Sequence, residues 1–472
     1  MFSVVAHHRL GGFLLAGVVV FGPIVSRAQT PAAWTPFERS IALRSLRDAG
    51  DLEGVPDVTL TDPALSEALL RRARIELGQR IRPSAVDRFW AIEPPRREVA
   101  TELAEARRDG RLTDWLASLS PPASAYRALT VVAKRYRQIV ARGGWAKLPN
   151  SQVLGIGNRG VAVQALRRRL LAEDYNGGTG RDPSDFDAVL KDALVAFQRT
   201  HGLPRTGRLD AATRAALDVP ARDRLDQITA NLERWRWLPH TLPDDRLELD
   251  VAGQAAVLFA DGAPTLDMKV IVGDPRHPTP MFVSHLTAVV FDPPWNVPRD
   301  IAKAEILPKA SKDPGYLVRN NFVWADGRLQ QLPGPKNALG DIKFDLPSPF
   351  GVYLHDTPAR SLFARPARAL SHGCMRLEKP QALAEALLTP QGWTPQAIAL
   401  AVAAGHTRTT MLQRTLPLYV VYWTVIVQSD GETQFRPDIY GWDRKLTQAL
   451  ASAPAESAST PTPVTDCAVV SS

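Results

Sequence analysis

The stretch 368–380, RALSHGCMRLEKP, holds one of only two cysteines in a chain of 472 residues. This cysteine, Cys374, directly follows Ser371, His372 and Gly373, and Arg376 lies two positions further on. A thiol becomes a strong nucleophile as the thiolate, which a nearby cation or backbone dipole must stabilise. Because the chain uses cysteine so rarely, we interpret Cys374 as a residue that is present for its chemistry.

The N-terminus indicates the compartment in which that thiol works. Residues 1–28 predict a secretory signal, in which Arg9 precedes an apolar run at 10–25 and small residues precede the cleavage point. The run is shorter than the roughly 20 residues of a permanent membrane helix. We expect cleavage after Ala28, location in the periplasm and no stable membrane insertion, with an uncleaved anchor as the alternative.

The second cysteine, Cys467, lies in a tail of Pro, Ser, Ala and Thr that is too poor in large apolar side chains to fold. We therefore interpret Cys374 as a free thiol in an oxidising compartment. The composition, 45% hydrophobic and 22% charged with a formal net charge of +8, is typical of a soluble multidomain protein. An exported chain with scattered positive charge is a poor partner for nucleic acid and a better one for an anionic polymer. The densest basic run, at 167–170, is predicted to be a solvated helix face.

Apolar periodicity divides the chain and predicts an α+β multidomain fold, with a helical domain, a small three-helix bundle and a mostly-β domain. In the bundle, Val163, Leu166 and Leu170 form one apolar stripe, Val189, Ala193 and Phe197 form another, and Asp210 is the predicted N-cap of the third helix. The predicted segments are a signal at 1–28, a helical scaffold at 29–150, the bundle at 151–220, a helical connector at 221–245, the mostly-β domain at 246–415 with a loop or lid at 308–349, further strands and a helix at 416–448, and a disordered tail at 449–472.

Three residues outside the thiol itself suggest nucleophilic catalysis. His355, at the end of a predicted strand, can take the thiol proton and return it to a leaving amine. Gly373 allows a sharp turn that presents the amides of Gly373 and Cys374 to an oxyanion. Arg376 adds a positive charge that favours the thiolate and a substrate carboxylate. A buried structural cysteine and a zinc site formed by His355, His372 and Cys374 remain as alternatives.

The bundle resembles the type 1 peptidoglycan-binding domain, a resemblance that implies binding to the cell wall, although such bundles also serve as spacers. The positions that match are Gly157, Gly160, Val163, Leu166, Phe197, Gln198, Gly202, Leu203, Thr206, Gly207, Leu209 and Asp210.

The region from about 230 to 445 resembles the YkuD-type L,D-transpeptidases, specifically their large periplasmic YcbB-like branch. The Ser-His-Gly-Cys-x-Arg signature stands at 371–376, and the blocks NLERWRWLP, FDPPWNVP, ILPKASKDPGYL, PGPKNALGDIKFDLPSPFGVYLHDTP and FRPDIYGWD follow the branch in order. The resemblance implies Cys374 as nucleophile, His355 as base and the backbone carbonyl of Asp356 as the group that orients the imidazole. It also implies a pocket shaped by His372, Gly373 and Arg376 and a substrate groove lined by Tyr353, Trp295, Asn296 and Ser371.

The resemblance further implies acyl transfer between peptidoglycan stem peptides through a cysteine thioester, with no metal and no organic cofactor. Stem peptides and glycan are the implied partners, peptidoglycan synthases are candidate partners, and carbapenems are expected to acylate the cysteine. In the same branch a capping subdomain stands at 308–349, where this sequence is short and an ungated surface loop is the alternative. Two other functions stay open for the whole chain: a carboxypeptidase or endopeptidase that uses the same thioester, and a wall-binding scaffold without activity.

Overall fold

The structure is a computed structural model that describes residues 33–48, 60–149, 153–176 and 182–453. The predicted signal segment, most of the predicted tail and Cys467 lie outside these described residues. The predicted α+β multidomain fold is confirmed. None of the helices in the described ranges is long and apolar enough to cross a membrane.

The N-terminal region is helical and has its own core. Leu46, Leu65, Leu69 and Trp115 are among the buried side chains that hold its first helices together. A longer amphipathic helix, α6, then buries Tyr126, which belongs to a separate cluster. The elements are α1 (Pro36–Asp48), α2 (Asp62–Glu76), α3 (Pro83–Val86), β1 (Trp90–Ala91), α4 (Val99–Arg108), α5 (Leu112–Ala117) and α6 (Ser124–Ala141).

Three short helices, α7 (Val161–Leu171), α8 (Ala188–Thr200) and α9 (Ala211–Leu217), form the small bundle. The predicted stripe of α7 is fully buried, and Asp210 caps α9 by accepting a 2.8 Å hydrogen bond from the Thr213 amide. The prediction for Val189 is wrong, because this side chain is exposed and its neighbour Leu190 occupies the core instead. The other two residues of the predicted stripe, Ala193 and Phe197, are buried as expected.

The basic run at 167–170 is not a solvated face. Arg167 and Arg169 are each 3% exposed. Arg169 pairs with Glu173 at 2.6 Å and lies 3.7 Å from the centre of the Trp145 ring. A buried arginine is tolerated because these partners replace the water that it loses.

Helix α10 (Ala221–Trp237) follows the bundle and packs on α6. It buries Asn231, whose side chain contacts the backbone and hydroxyl of Thr424 in the C-terminal region. The helix thus joins the helical region to the large sheet that follows.

The large sheet closes on itself. Strand β9 pairs with both β10 and β5, which completes a ring in the order β5-β13-β2-β3-β4-β12-β10-β9, and β1 and β11 attach to its edges. Alternate side chains of the ring fill one large apolar core. The strands are β2 (Arg246–Asp250), β3 (Ala255–Ala260), β4 (Ala263–Gly273), β5 (Met281–Phe291), β9 (Ile342–Asp345), β10 (Leu354–His355), β11 (Ala369–Ser371), β12 (Met375–Leu377) and β13 (Arg408–Val421).

A small unit, which we call the cap (residues 295–340), is inserted between β5 and β9. It has its own apolar cluster, which includes Ile306, Phe322 and Leu329. The predicted loop at 308–349 therefore contains regular structure. The elements of the cap are β6 (Trp295–Asn296), α11 (Arg299–Ile301), a π-helical turn (Ala302–Ile306), α12 (Leu307–Lys312), α13 (Tyr316–Arg319), β7 (Phe322–Ala325) and β8 (Arg328–Gln331).

The C-terminal region completes the sheet and packs on α10. Strand β13 starts at Arg408, before the predicted segment at 416–448, and pairs with β2 and β5. The last helix extends to Ser452, into the range predicted to be disordered. The remaining elements are α14 (Pro380–Leu388), α15 (Pro395–Ala403), β14 (Val425–Val427), β15 (Thr433–Phe435) and α16 (Trp442–Ser452), with 3₁₀ turns at Arg360–Ala364 and Thr389–Gln391.

Candidate active site

A cavity of about 1150 Å³ lies between the cap and the sheet, and Cys374 is on its wall. The sheet side and the cap side contribute different chemistry, since the thiol comes from the sheet and both carboxylates come from the cap, while aromatic and basic groups come from both. The sheet side contributes Tyr353, His355, Ser371, His372, Cys374 and Arg376, and the cap contributes Trp295, Asp300, Glu305, Lys309, Tyr316 and Lys336.

Two neighbouring parallel strands aim the central side chains into this cavity. Leu354 in β10 lies opposite Met375 in β12, and both are buried in the core. Because side chains alternate along a strand, Tyr353 and Cys374 lie on the other face. The Met375 amide donates a 3.1 Å hydrogen bond to the Tyr353 carbonyl, which fixes this register.

The turn that carries Cys374 is held by short hydrogen bonds. Ser371 Oγ donates to the Cys374 carbonyl at 2.6 Å and accepts from the Gly373 amide at 3.2 Å. Thr279 Oγ1 donates to the Gly373 carbonyl at 2.8 Å. Gly373 has φ of +105°, a conformation that favours glycine. The predicted oxyanion role of the Gly373 amide is not supported in this state, since Ser371 already occupies it; the Cys374 amide is the better candidate.

The surroundings of Cys374 favour the neutral thiol. Burial raises its pKa, and this outweighs hydrogen bonds from Tyr353 and the charges of Arg376 and Lys343, which lower it. Arg376 acts in the predicted direction, since its charge lowers the pKa of the thiol, but burial has the larger effect. Deprotonation must accompany the attack on a substrate or follow a change in the surroundings of the sulfur.

His355 lies on the same face as Tyr353, and their rings are 5.6 Å apart. Its side chain is buried, and burial, followed by the charge of Arg376, lowers its pKa to about 3, so the imidazole is neutral. No hydrogen bond joins His355 to Cys374 among the described residues, although both line the cavity. The neutral imidazole has a lone pair that can accept the thiol proton, but a pKa of about 3 makes it a weak base until a substrate changes its surroundings.

The hydrogen bond from His355 to the Asp356 carbonyl, which is predicted to orient the imidazole, is only partly formed. The carbonyl of Asp356 is close enough to raise the pKa of His355, as is that of Leu339, yet Nδ1 has no hydrogen-bond partner in the part of the chain that the structure describes. The Asp356 carboxylate instead accepts from the Asp341 amide at 3.1 Å and pairs with Arg360 at 2.9 Å. Asp356 thus fixes the end of β10 through its side chain.

Arg376 carries a positive charge without a counter-ion. Its guanidinium makes no hydrogen bond and no ion pair within the described ranges, and its Nε is buried. Burial lowers its pKa, while Cys374 and Glu305, the nearby acidic groups, act to raise it. A cation of this kind can bind a substrate carboxylate or an anionic intermediate.

His372 is tied to the cap. Its Nε2 lies 2.8 Å from Glu305 Oε1, and its ring centre is 4.7 Å from that of His277. His277 in turn pairs with Asp274 at 3.1 Å. Sequence reasoning missed Glu305, His277 and Thr279, because no local pattern links these three residues to the cysteine motif.

The two predicted groove residues of β6 differ in position. Trp295 lines the cavity, whereas Asn296 does not, because its side chain is exposed and accepts a 2.8 Å hydrogen bond from Gln330. Across the ranges that the structure describes, no three His, Cys, Asp or Glu side chains are grouped so that they could hold a metal ion.

Comparison with known proteins identifies the units of this chain. The YkuD family model, described as "L,D-transpeptidase catalytic domain", matches residues 244–402. The models "Putative peptidoglycan binding domain" and "Scaffold domain" match residues 159–217 and 37–131. These matches cover the sheet, the small bundle and the N-terminal helices in turn.

A curated "Putative L,D-transpeptidase" of Haemophilus influenzae is 33% identical over 244 residues, which are 47% of this chain and 49% of that protein. The match thus spans about half the length of that relative. Among solved structures, an L,D-transpeptidase from Mycobacterium smegmatis is 17% identical over 38% of this chain and 58% of its own, with a TM-score of 0.21. One from Stackebrandtia nassauensis is 12% identical over 58% of this chain and 96% of its own, with a TM-score of 0.22. The two family matches and the curated relative show that the chain carries a YkuD-type L,D-transpeptidase catalytic domain joined to a peptidoglycan-binding domain.

Proposed function

We propose that the protein is a peptidoglycan L,D-transpeptidase that forms cross-links between stem peptides through a thioester at Cys374. The observation that carries the proposal is the common cavity of Cys374, His355 and Arg376, which lies inside the matched catalytic domain. The large volume under the cap leaves room for a donor stem and an acceptor stem together.

In the first half-reaction, Cys374 Sγ attacks the carbonyl of the L-centre in an L,D peptide bond of a tetrapeptide stem. The thiol proton moves to His355 as the C–S bond forms, because a developing thiolate raises the proton affinity of the nearby imidazole. His355 then gives the proton to the amine of the terminal D-alanine, the C–N bond breaks, and a thioester remains. Arg376 binds the stem carboxylate or stabilises the negative charge that develops.

In the second half-reaction, a side-chain amine of a neighbouring stem attacks the thioester carbonyl. A C–N bond forms, the C–S bond breaks, and the electron pair of that bond returns to sulfur. The proton lost by the amine reaches the sulfur through His355. The amide of Cys374 is placed to bind the oxyanion in both halves.

The rest of the chain fits a protein that works on the cell wall. The peptidoglycan-binding domain supports glycan or stem peptide as the ligand of the small bundle. We propose export through residues 1–28 to the periplasm, membership of the YcbB-like branch, and acylation by carbapenems. Peptidoglycan synthases are candidate partners.

The test is intact-mass analysis of the purified protein and of Cys374→Ala after exposure to a stem tetrapeptide and to a carbapenem. We expect the mass of each acyl group on the wild type and none on the variant. Analysis of the products then distinguishes the activities, since dimers support transpeptidation and trimmed tripeptides alone support hydrolysis. A wild type that binds sacculi but takes up neither acyl group would contradict the proposal and favour a scaffold.

A further inference from the structure

The two carboxylates on the cavity wall, Asp300 and Glu305, both come from the cap. Opposite them, the sheet side carries Arg376 without a counter-ion beside the thiol. The cavity therefore has a cation next to the acylation site, and the surface that covers it carries two carboxylates together with Lys309 and Lys336.

Glu305 is aimed at the cysteine turn by an irregular helix. Residues 302–306 form a π-helical turn between α11 and α12, and Pro308 follows directly within α12. Proline has no amide hydrogen, so the helix cannot make the normal bond from residue 308 to the carbonyl of residue 304. A π turn widens the helix at this point, a feature often found at functional sites. The widened turn brings Glu305 to His372, two positions from Cys374.

The contact between Glu305 and His372 is one that a ligand can replace. The two side chains are 45% and 37% exposed, and a contact between partly solvated polar groups of this kind contributes little to the stability of the fold. The apolar cluster of the cap, with Val297, Ile306 and Phe322, stabilises this unit independently of the pair. Glu305 is thus a carboxylate within reach of the turn that carries Cys374, and its present partner is weakly held.

We propose that Glu305 binds the acceptor, by receiving the side-chain ammonium of the diamino acid of the second stem in place of His372. This inference rests on the proposed function and adds the group that selects the attacking amine. Charge-assisted contact with the carboxylate holds the nitrogen over the cysteine turn. Release of one proton to solvent then gives the neutral amine that attacks the thioester. Glu305 is a specificity-determining residue and has no part in acylation.

The experiment separates the two half-reactions in the full-length chain. Thioester formation is measured by D-alanine release and intact mass with donor alone, and dimer formation is measured over a range of acceptor concentrations. For Glu305→Gln we expect acylation within about twofold of the wild type. We expect the acceptor KM to rise about tenfold or more, because loss of a charge-assisted hydrogen bond weakens binding by about this factor. Glu305→Asp retains the charge and should recover part of the affinity.

Asp326→Asn is the matched control, because it removes the same charge from the same cap. Asp326 lies in the β7–β8 turn with φ of +50°, which asparagine also adopts, and it is not on the cavity wall. The control should leave the acceptor KM unchanged. A stem with an acetylated side-chain amine cannot attack the thioester, and as a competitive inhibitor of dimer formation it should bind the wild type and Glu305→Gln equally well.

Two results would overturn the inference while leaving the proposed function intact. One is dimer formation by Glu305→Gln that matches the wild type at every acceptor concentration. The other is an equal loss in acylation and in transfer, which would make Glu305 a residue that only holds the cap closed. Failure of the wild type to form any acyl-enzyme would instead refute the function itself.

Discussion

Two arginines in different regions of this molecule, Arg169 and Arg376, differ in what surrounds them. Arg169, at the contact of the small bundle with the helical region, has Glu173 at 2.6 Å and the Trp145 ring at 3.7 Å. Arg376, in the cavity, has no acidic partner within the described residues, and its Nε is buried without a hydrogen bond.

The difference shows what each charge contributes. In a buried ion pair, the attraction between the two charges offsets the cost of removing them from water. Removing one member leaves the other charge buried without a partner, which destabilises the fold. A partly buried cation without a partner lowers the stability of the free protein and gains its counter-ion from a ligand. Arg169 is therefore a structural residue, and Arg376 belongs to the chemistry.

The largest effect on stability is expected for Arg169→Met. The substitution leaves Glu173, which is 4% exposed and accepts a 2.6 Å hydrogen bond from Tyr136, without its counter-ion. Breaking a buried pair in this way costs about 3–5 kcal/mol, measured as the free energy of unfolding in urea. Arg168→Met, one position away and exposed, should change it little, and equal losses in the two variants would refute a specific role of the pair.

His355 predicts a loss of stability in acid. Burial and Arg376 lower its pKa to about 3 in the folded protein, against an ordinary value of 6.5. Above pH 6.5 the imidazole is neutral in both states and contributes no pH dependence. As the pH falls from 6.5 towards 3, this histidine binds a proton in the unfolded chain but not in the folded protein. The free energy of unfolding therefore decreases, by about 3–5 kcal/mol over the whole range.

The measurement compares the free energy of unfolding of the wild type and of His355→Gln at several pH values. Glutamine does not titrate, so the difference between the two proteins should change between pH 6.5 and 3 and stay constant above pH 7. Parallel curves over the whole range would show that His355 titrates normally in the folded protein.

Local patterns in the sequence were sufficient for the main elements. The apolar stripe of α7 and the N-cap at Asp210 each depend on residues close together in the chain. The Ser371–Arg376 motif likewise identified the turn that carries the thiol.

What the sequence could not show depends on contacts between distant segments. The sequence predicts a solvated Arg169 because the ring that covers it, Trp145, comes from another segment of the chain. The neutral state of Cys374 follows from burial, which no motif encodes. Glu305, in a π turn of the cap, meets His372 across 67 positions of the chain, and no motif links the two segments.

Arg376→Gln tests the other side of the comparison. Removal of a charge-assisted contact of about 1.5–3 kcal/mol should slow thioester formation about 10- to 100-fold, measured as D-alanine release from a stem tetrapeptide. The free energy of unfolding should stay the same or rise, because an unpaired charge is removed from a partly buried site. Arg365→Gln is the control, because Arg365 is an exposed cation outside the cavity. If Arg376→Gln were destabilised but acylated normally, Arg376 would be a structural residue like Arg169.

The smallest effect is expected for Thr279→Val, which tests whether neutral hydrogen bonds also set the position of the thiol. Thr279 is fully buried, and its hydroxyl accepts from the Gly273 amide at 2.9 Å and donates to the Gly373 carbonyl at 2.8 Å. Valine has nearly the same shape but leaves both backbone groups unpaired, which should cost about 1–2 kcal/mol of unfolding free energy. Acylation should slow by a few-fold as the Cys374 turn loses this support, whereas Thr279→Ser, which keeps the hydroxyl, should retain most of the rate. If valine and serine reduce acylation equally, the methyl group of Thr279, and not its hydrogen bonds, holds the turn.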